Sequence, residues 1–150
     1  MNDTHKAKVV LMAEDDSDDR LLVKDAMAEG RWEGDLRFVE NGEDLLDYLR
    51  HRGKYSQPAH APRPGLILLD LNMPRKDGRD ALREIKADAE LRRIPVVVLT
   101  TSKAGTDIGR MYDLGANSFI AKPIQFEALV NVMRVLGQYW FNTVELPAPK

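Results

Sequence analysis

Glu14-Asp15-Asp16, a separate Asp70, Thr100 and Lys122 are the residues of this 150-residue chain whose types could do chemistry together. Asp70 ends an unbroken apolar run, Leu66-Ile67-Leu68-Leu69, and is followed at once by Leu71-Asn72-Met73-Pro74 and then Asp77-Gly78. Carboxylates held close repel one another and are costly unless a hard cation joins them, and Mg²⁺ takes such oxygen ligands while keeping several waters. A metal beside a carboxylate nucleophile, faced by a hydroxyl and an ammonium, is the equipment for in-line phosphoryl transfer, where charge spreads over the transferred oxygens. Asp70 would then carry an aspartyl phosphate, a known covalent intermediate of carboxylates. Taken singly, each residue has a plainer explanation. Asp70 and Thr100 suit turns at strand ends, Glu14 to Asp19 a capping and solvated acidic run, and Lys122 a surface charge before a proline.

The elements that would position these groups alternate along the chain. Val9-Val10-Leu11-Met12-Ala13 predicts a strand, and a helix follows from about Asp18 to Glu29 with Leu21, Leu22, Ala26 and Met27 inward, stopped by Gly30. Leu36 to Val39 is a second strand, and Asn41-Gly42 opens a helix carrying Leu45, Leu46, Tyr48 and Leu49. His51 to Gly65, with Pro58, Pro62 and Pro64, reads as a long exposed connection, functional or an inserted arm. Leu66 to Leu69 suits a strand buried on both faces, and a helix from about Gly78 to Ala89 turns Ala81, Leu82 and Ile85 inward. Ile94 to Leu99 forms a fourth strand ending at Thr100-Thr101-Ser102, a helix runs near Thr106 to Leu114, Ser118 to Ala121 is a fifth strand, and a last helix starts near Gln125. This order predicts an α/β fold, a parallel sheet with helices on both faces. Right-handed crossovers put every strand's carboxyl end on one edge, so the acids, the hydroxyl and the ammonium converge. Four independent plain explanations on a single edge are far less economical than one site.

Composition narrows the partners. Hydrophobic residues make up 43% and charged residues 31% of the chain, as expected of a compact fold of one domain. A formal net charge of -2 gives no pull toward nucleic acid or an anionic membrane. Cysteine is absent, which removes disulfides and thiolate chemistry and fits a reducing compartment. The polar start Met1 to Lys6 and the lack of a long apolar span give no signal peptide and no membrane anchor, so a cytoplasmic protein is expected. His5, His51 and His60 lack metal-ligand spacing and read as surface residues.

At this point the motifs resemble a known family, the receiver domain of two-component response regulators. Glu14-Asp15-Asp16, Leu68-Leu69-Asp70-Leu71-Asn72-Met73-Pro74 with Asp77-Gly78, Val98-Leu99-Thr100 and Lys122-Pro123 all match, with 30 positions from Asp70 to Thr100 and 22 from Thr100 to Lys122. The resemblance implies a flavodoxin-like, five-stranded doubly wound sheet of order 2-1-3-4-5, in three layers, with Asp70 accepting a phosphoryl group from a phosphohistidine on a sensor histidine kinase. It implies Mg²⁺ held by Asp15, Asp70 and the backbone carbonyl of Asn72, with Glu14 contacting it through water and Asp16 a less certain third acid. It implies that Lys122 pairs with the Asp70 carboxylate, that the Lys122-Pro123 peptide is cis, and that Thr100 and Phe119 form a switch. Phe119 serves equally well as a plain core residue. Thr101 is bulkier than the small residue the family often has there and would narrow access to Asp70.

The ends of the chain bear on partners. Phe126, Leu129, Val132, Met133 and Leu136 can serve the core, which leaves Val130, Val135, Tyr139, Trp140 and Phe141 in need of cover. Two covers are open: the tail folds back on its own subunit, or a homodimer forms through the last helix and tail, with or without the fourth helix. The second is favoured. The receiver core is expected over about residues 7–138 and a C-terminal extension over about 139–150, with no effector domain. This tail, the Pro-rich arm and the Arg75-Lys76-Asp77-Gly78 segment also look like the single-domain regulators that accompany phytochrome histidine kinases, which implies a red-light sensing kinase as donor. Two other classes compete. An aspartyl-phosphate phosphohydrolase would place an acid two residues after its nucleophile, where Asn72 stands. A receiver-like module acting by binding alone would not need intact Asp70, Thr100 and Lys122.

Overall fold

The computed structural model describes residues 8–101 and 105–147, so His5 and Ser102 lie outside the described residues. Five strands, β1 (Val9–Ala13), β2 (Asp35–Val39), β3 (Leu66–Leu69), β4 (Val96–Thr100) and β5 (Ser118–Ala121), alternate with five helices: α1 (Ser17–Glu29), α2 (Gly42–Arg50), α3 (Gly78–Ala87), α4 (Gly105–Leu114) and α5 (Phe126–Gly137). The strands form one parallel sheet of order β2-β1-β3-β4-β5, a flavodoxin-like doubly wound fold.

Strand alternation divides the core in two. Leu11, Ile67, Leu69, Val96 and Val98 face a cluster with Leu45 and Leu46 of α2, Leu82 and Ile85 of α3 and Met111 of α4. Val10, Met12, Leu66, Leu68, Val97 and Leu99 face Val23, Ala26 and Met27 of α1 and Leu129, Met133 and Leu136 of α5. β3 and β4 are buried at every residue, which is why their sequences read as unbroken apolar runs.

Helix α1 corrects one expectation. Its inward stripe is Val23, Ala26 and Met27, while Leu21 is 57% exposed and Leu22 is also exposed. The cap sets this phase: the Asp16 side chain accepts from the Asp18 and Asp19 N–H groups, and Arg20 reaches back to the Glu14 carbonyl (2.8 Å), so the two leucines turn outward. The connection from His51 to Gly65 is also less loose than expected. It holds two short 3₁₀ turns, Gly53–Tyr55 and Pro58–His60. His51 caps α2 in a left-handed conformation and meets the Ala61 carbonyl through Nε2 (2.8 Å), so it is a structural residue. Tyr48 donates to the Pro62 carbonyl and Tyr55 to Asp44, with their rings 5.1 Å apart.

The tail takes the first of the two covers. Gln138–Thr143 continues α5 as a π-helical turn, and Trp140, Phe141 and Val130 pack against the α1–α5 core of their own subunit. Trp32 organises this contact. Its indole N–H donates to the Met133 carbonyl, its ring meets Phe141 edge-on (5.3 Å), and it lies so close to Gly137 that a Cβ there would sit 2.4 Å from Nε1. Lys8 closes the clasp from the start of β1, its Nζ donating to the Phe141 carbonyl (2.9 Å). Val130, Trp140 and Phe141 are thus partly covered by their own subunit, whereas Val135 (54%) and Tyr139 (49%) stay exposed. No helix among the described residues is long and apolar enough to cross a membrane. Trp32→Ala should lower the unfolding free energy by about 2 to 3 kcal/mol in urea titrations, less than a fully buried tryptophan because Trp32 is half-buried. An unchanged urea midpoint would mean that the tail only rests on the surface.

Candidate functional site

The parallel registers bring the strand ends flush. Ala13 pairs with Leu69, Leu69 with Val98, and Thr100 with Ala121, so Glu14, Asp70, Thr100 and Lys122 emerge on one edge. Asp70 is fixed twice: its N–H donates to the Ala13 carbonyl (3.1 Å) and its Oδ1 accepts from the Leu71 N–H (2.8 Å). The chain then turns tightly, with the N–H groups of Met73 and Gly78 both donating to the Leu71 carbonyl. A Cβ at Gly78 would lie 2.3 Å from the Asp70 carbonyl oxygen, so only glycine lets α3 begin there. Asp77 caps that helix by accepting from the Arg79 and Asp80 N–H groups.

Glu14, Asp15 and Asp70 offer carboxylate oxygens that all lie within 4.8 Å of one another. Glu14 is almost wholly buried, Asp70 is buried and Asp15 is exposed. Lys122 Nζ donates to Glu14 Oε1 (2.7 Å) and stands 3.6 Å from Asp19. The lysine thus pairs with Glu14 rather than with Asp70, because Glu14 carries the carboxylate most cut off from water. Burial pushes the Glu14 carboxyl up to about 7, against the pull of Lys122 and with the Asp70 charge adding to the rise. Burial disfavours the Lys122 ammonium, but the Glu14 hydrogen bond and the charges of Glu14, Asp70 and Asp19 outweigh it and raise the lysine.

Two further expectations change. Asp16 is not brought into the acid cluster: its carboxylate is committed to the α1 cap, and its own N–H donates to Glu14 Oε2 (3.2 Å). The Lys122-Pro123 peptide is trans. The lysine takes its place without a cis bond because its N–H continues the β4–β5 ladder to the Thr100 carbonyl (2.7 Å). Thr100 is fully buried at the end of β4. Phe119 is half-buried against the α2–α4 side of the core, and its backbone N–H donates to the Tyr112 hydroxyl (3.2 Å). Asn72 is exposed on the turn after Asp70, and Thr101 is exposed just beyond Thr100. Sequence reasoning missed Asp19 and Arg20 as parts of the site. Counting from a cap at Asp16 would have placed both in the first turn of α1, facing back to Glu14.

The donor set suits a hard divalent cation. It is all oxygen and it concentrates three acids, two of them buried. Bound there, a cation would be held by Asp15 and Asp70, with Glu14 beside it.

Residues 10–134 match the family model of the response regulator receiver domain. The response regulator Rcp1 of Synechocystis sp. is 37% identical over 98% of this chain and 98% of its own length. Among solved structures, the phosphorylated cyanobacterial phytochrome response regulator RcpA superposes with a TM-score of 0.88 at 40% identity, over 95% of this chain and 100% of that one. The Mn²⁺-bound form of Rcp1 gives a TM-score of 0.85 at 39% identity, over 94% of this chain and 99% of that one. With so much of its length matched, and its acids, hydroxyl and lysine on one sheet edge, the chain belongs to the response regulator receiver domain family.

Proposed function

We propose that Asp70 is the phosphoacceptor of this response regulator, loaded from a phosphohistidine of a sensor histidine kinase. The single observation that carries this is the buried Asp70 carboxylate within 4.8 Å of two further acids, on the edge that also holds Thr100 and Lys122. In the transfer an Asp70 oxygen forms a bond to phosphorus as the bond from phosphorus to the histidine nitrogen breaks. The electron pair returns to the imidazole, and a solvent proton neutralises it. Lys122, already charged against Glu14, stands ready for the phosphoryl oxygens, and the Thr100 hydroxyl lies across the edge from it. Mg²⁺ at Asp15, Asp70 and the Asn72 carbonyl would supply Lewis-acid neutralisation of the phosphoryl charge.

Around this edge Leu21, Leu22 and Ile124 are exposed, Ile124 at 96%. A kinase helix would dock on these exposed apolar side chains, since apolar surface of this kind marks interaction sites. The similarity to RcpA supports a phytochrome-type kinase as that donor, and with it a cytoplasmic place of action. The protein itself acts as a signalling protein rather than as an enzyme on other substrates. Its output runs through a homodimer on the face left by the folded tail, Val135 of α5 and Tyr139 of the π-helical turn with Ile108 and Tyr112 of α4, all four exposed. Thr100 and Phe119 couple the site to that face, because Phe119 is tied by its backbone to Tyr112.

Incubation with a small acyl phosphate and Mg²⁺ should give a base-labile phosphoprotein, and Asp70→Asn should remove that label. Equal labelling of the variant would overturn the assignment. Because Glu14 holds a proton up to about pH 7, Mg²⁺ must compete with that proton, so calorimetric affinity should rise from pH 6 to pH 8 and then level. Glu14→Gln should abolish this slope; an affinity flat across the window in the native protein would contradict it. Sedimentation at tens of micromolar with a phosphoryl mimic should show a dimer that Tyr139→Arg converts to monomer. A monomeric native protein in both states would refute the dimer.

A further inference from the structure

The helix after Thr100 is thinly held. Within α4 only Met111 is fully buried, whereas α3 buries Gly78, Ala81, Leu82 and Ile85 and α5 buries Leu129, Met133, Leu136 and Gly137. One buried side chain fixes a point on a helix but not its tilt. The C-terminal half of α4 has a second tie, the Tyr112 hydroxyl accepting from the Phe119 N–H. Its first turn is tied elsewhere. Arg79 reaches from the start of α3 and grips Asp107 as a fork, Nε to Oδ1 at 3.0 Å and Nη2 to Oδ2 at 2.8 Å, with both side chains partly exposed, at 19% and 18%. Nη1 of the same guanidinium rests 3.5 Å from Asp77, the cap of α3. Paired donation of this kind fixes orientation as well as distance, which a lysine cannot do.

What the pair joins gives it a role. Arg79 follows Gly78, the residue pressed against the Asp70 carbonyl, and Asp107 lies seven positions beyond Thr100. The fork therefore closes a bridge between the segment leaving the phosphoacceptor and the helix reached from the switch hydroxyl. Neither residue belongs to the acid cluster.

We infer that Arg79 is a positioning residue for phosphoryl transfer: through Asp107 it sets where α4 begins, and so how closely the Thr100 side of the edge approaches Asp70. This rests on Asp70 being the phosphoacceptor. Misplacement at the ångström level costs rate rather than affinity. Arg79→Gln and Asp107→Asn should therefore each lower the limiting rate of labelling by a small acyl phosphate roughly tenfold, with the Mg²⁺ dissociation constant unchanged. The double variant should lose less than the product of the two single losses, because both remove the shared Arg79–Asp107 contact. Arg79→Lys, which keeps the charge but not the fork, should recover only part of the rate.

The expected result is that split, a lowered limiting rate with unmoved Mg²⁺ binding and unmoved half-saturation by the donor, and a non-additive pair. A merely structural role would instead shift metal affinity and thermal midpoint together with rate. Native-like or faster rates in the single variants, additive losses in the double, or a parallel loss of Mg²⁺ affinity would each overturn the inference while leaving Asp70 labelling intact. A native protein that takes no label would overturn the phosphoacceptor reading and this inference with it.

Discussion

Three carboxylates whose oxygens lie within 4.8 Å of one another, one of them almost wholly buried, are the constraint around which the structure is arranged. In a medium of low dielectric each ionised neighbour raises the cost of the next, and burial removes the water that would pay it down. Lys122 answers the most buried of the three, Glu14, and the Asp16 N–H adds a second contact to the same carboxylate. The opening turn of α1 begins just after these acids, so its positive end faces negative charge. These devices hold Glu14. They leave Asp15 and Asp70 with charge in excess, and that residual charge is what makes the edge a site for a cation and an incoming phosphoryl group rather than a closed ion pair.

Such an arrangement needs a rigid frame, because its members come from distant parts of the chain. The frame is the parallel ladder. β3 and β4 are buried at every residue, so a slip in register would force apolar side chains off both core clusters. With the register locked, the backbone itself carries the site: Asp70 is anchored to Ala13 and Lys122 to Thr100 by the last ladder bonds of their strands. The lysine's inward direction is a property of that ladder, which is why a trans peptide before Pro123 serves it.

What the sequence made legible follows the same physics. Apolar runs bounded by Asp, Asn or Gly mark the strands closely: β5 spans Ser118–Ala121, as its sequence predicts, and Asp77 and Asn41 stand where capping residues should. The convergence of Glu14, Asp70, Thr100 and Lys122 was legible because right-handed crossovers leave a single edge for strand ends. The phase of α1 was not. Bulk favoured Leu21 and Leu22 as core residues, but the helix begins at a cap whose position sets the stripe, and the stripe falls on Val23, Ala26 and Met27. The fold-back of the tail is silent for a related reason: hydrophobic content says that Trp140 and Phe141 need cover, but the ring that meets Phe141 is Trp32, more than a hundred positions away. The Arg79–Asp107 fork is equally silent, since both residues sit in polar stretches and meet only through the fold.

These contacts distribute stiffness unevenly, and the unevenness selects where a change at Asp70 can travel. On one side of the sheet α5 is held by three buried apolar residues, by Trp32 and by the tail clasp from Lys8, so displacing it would open core and cost about 2 to 5 kcal/mol for each large side chain uncovered. Behind Asp70, α3 is pinned by the close approach of Gly78. α4 and the edge strand β5 are different: one fully buried side chain in the helix, a strand only half-buried, and polar ties at Asp107 and Tyr112. Polar ties at a partly exposed surface can be exchanged for water at far lower cost than core contacts. A hydroxyl shift at Thr100 thus meets least resistance toward α4 and β5. That is also the side where Phe119 is neither fully packed nor free, and where Ile108 and Tyr112 stand exposed for a partner to read.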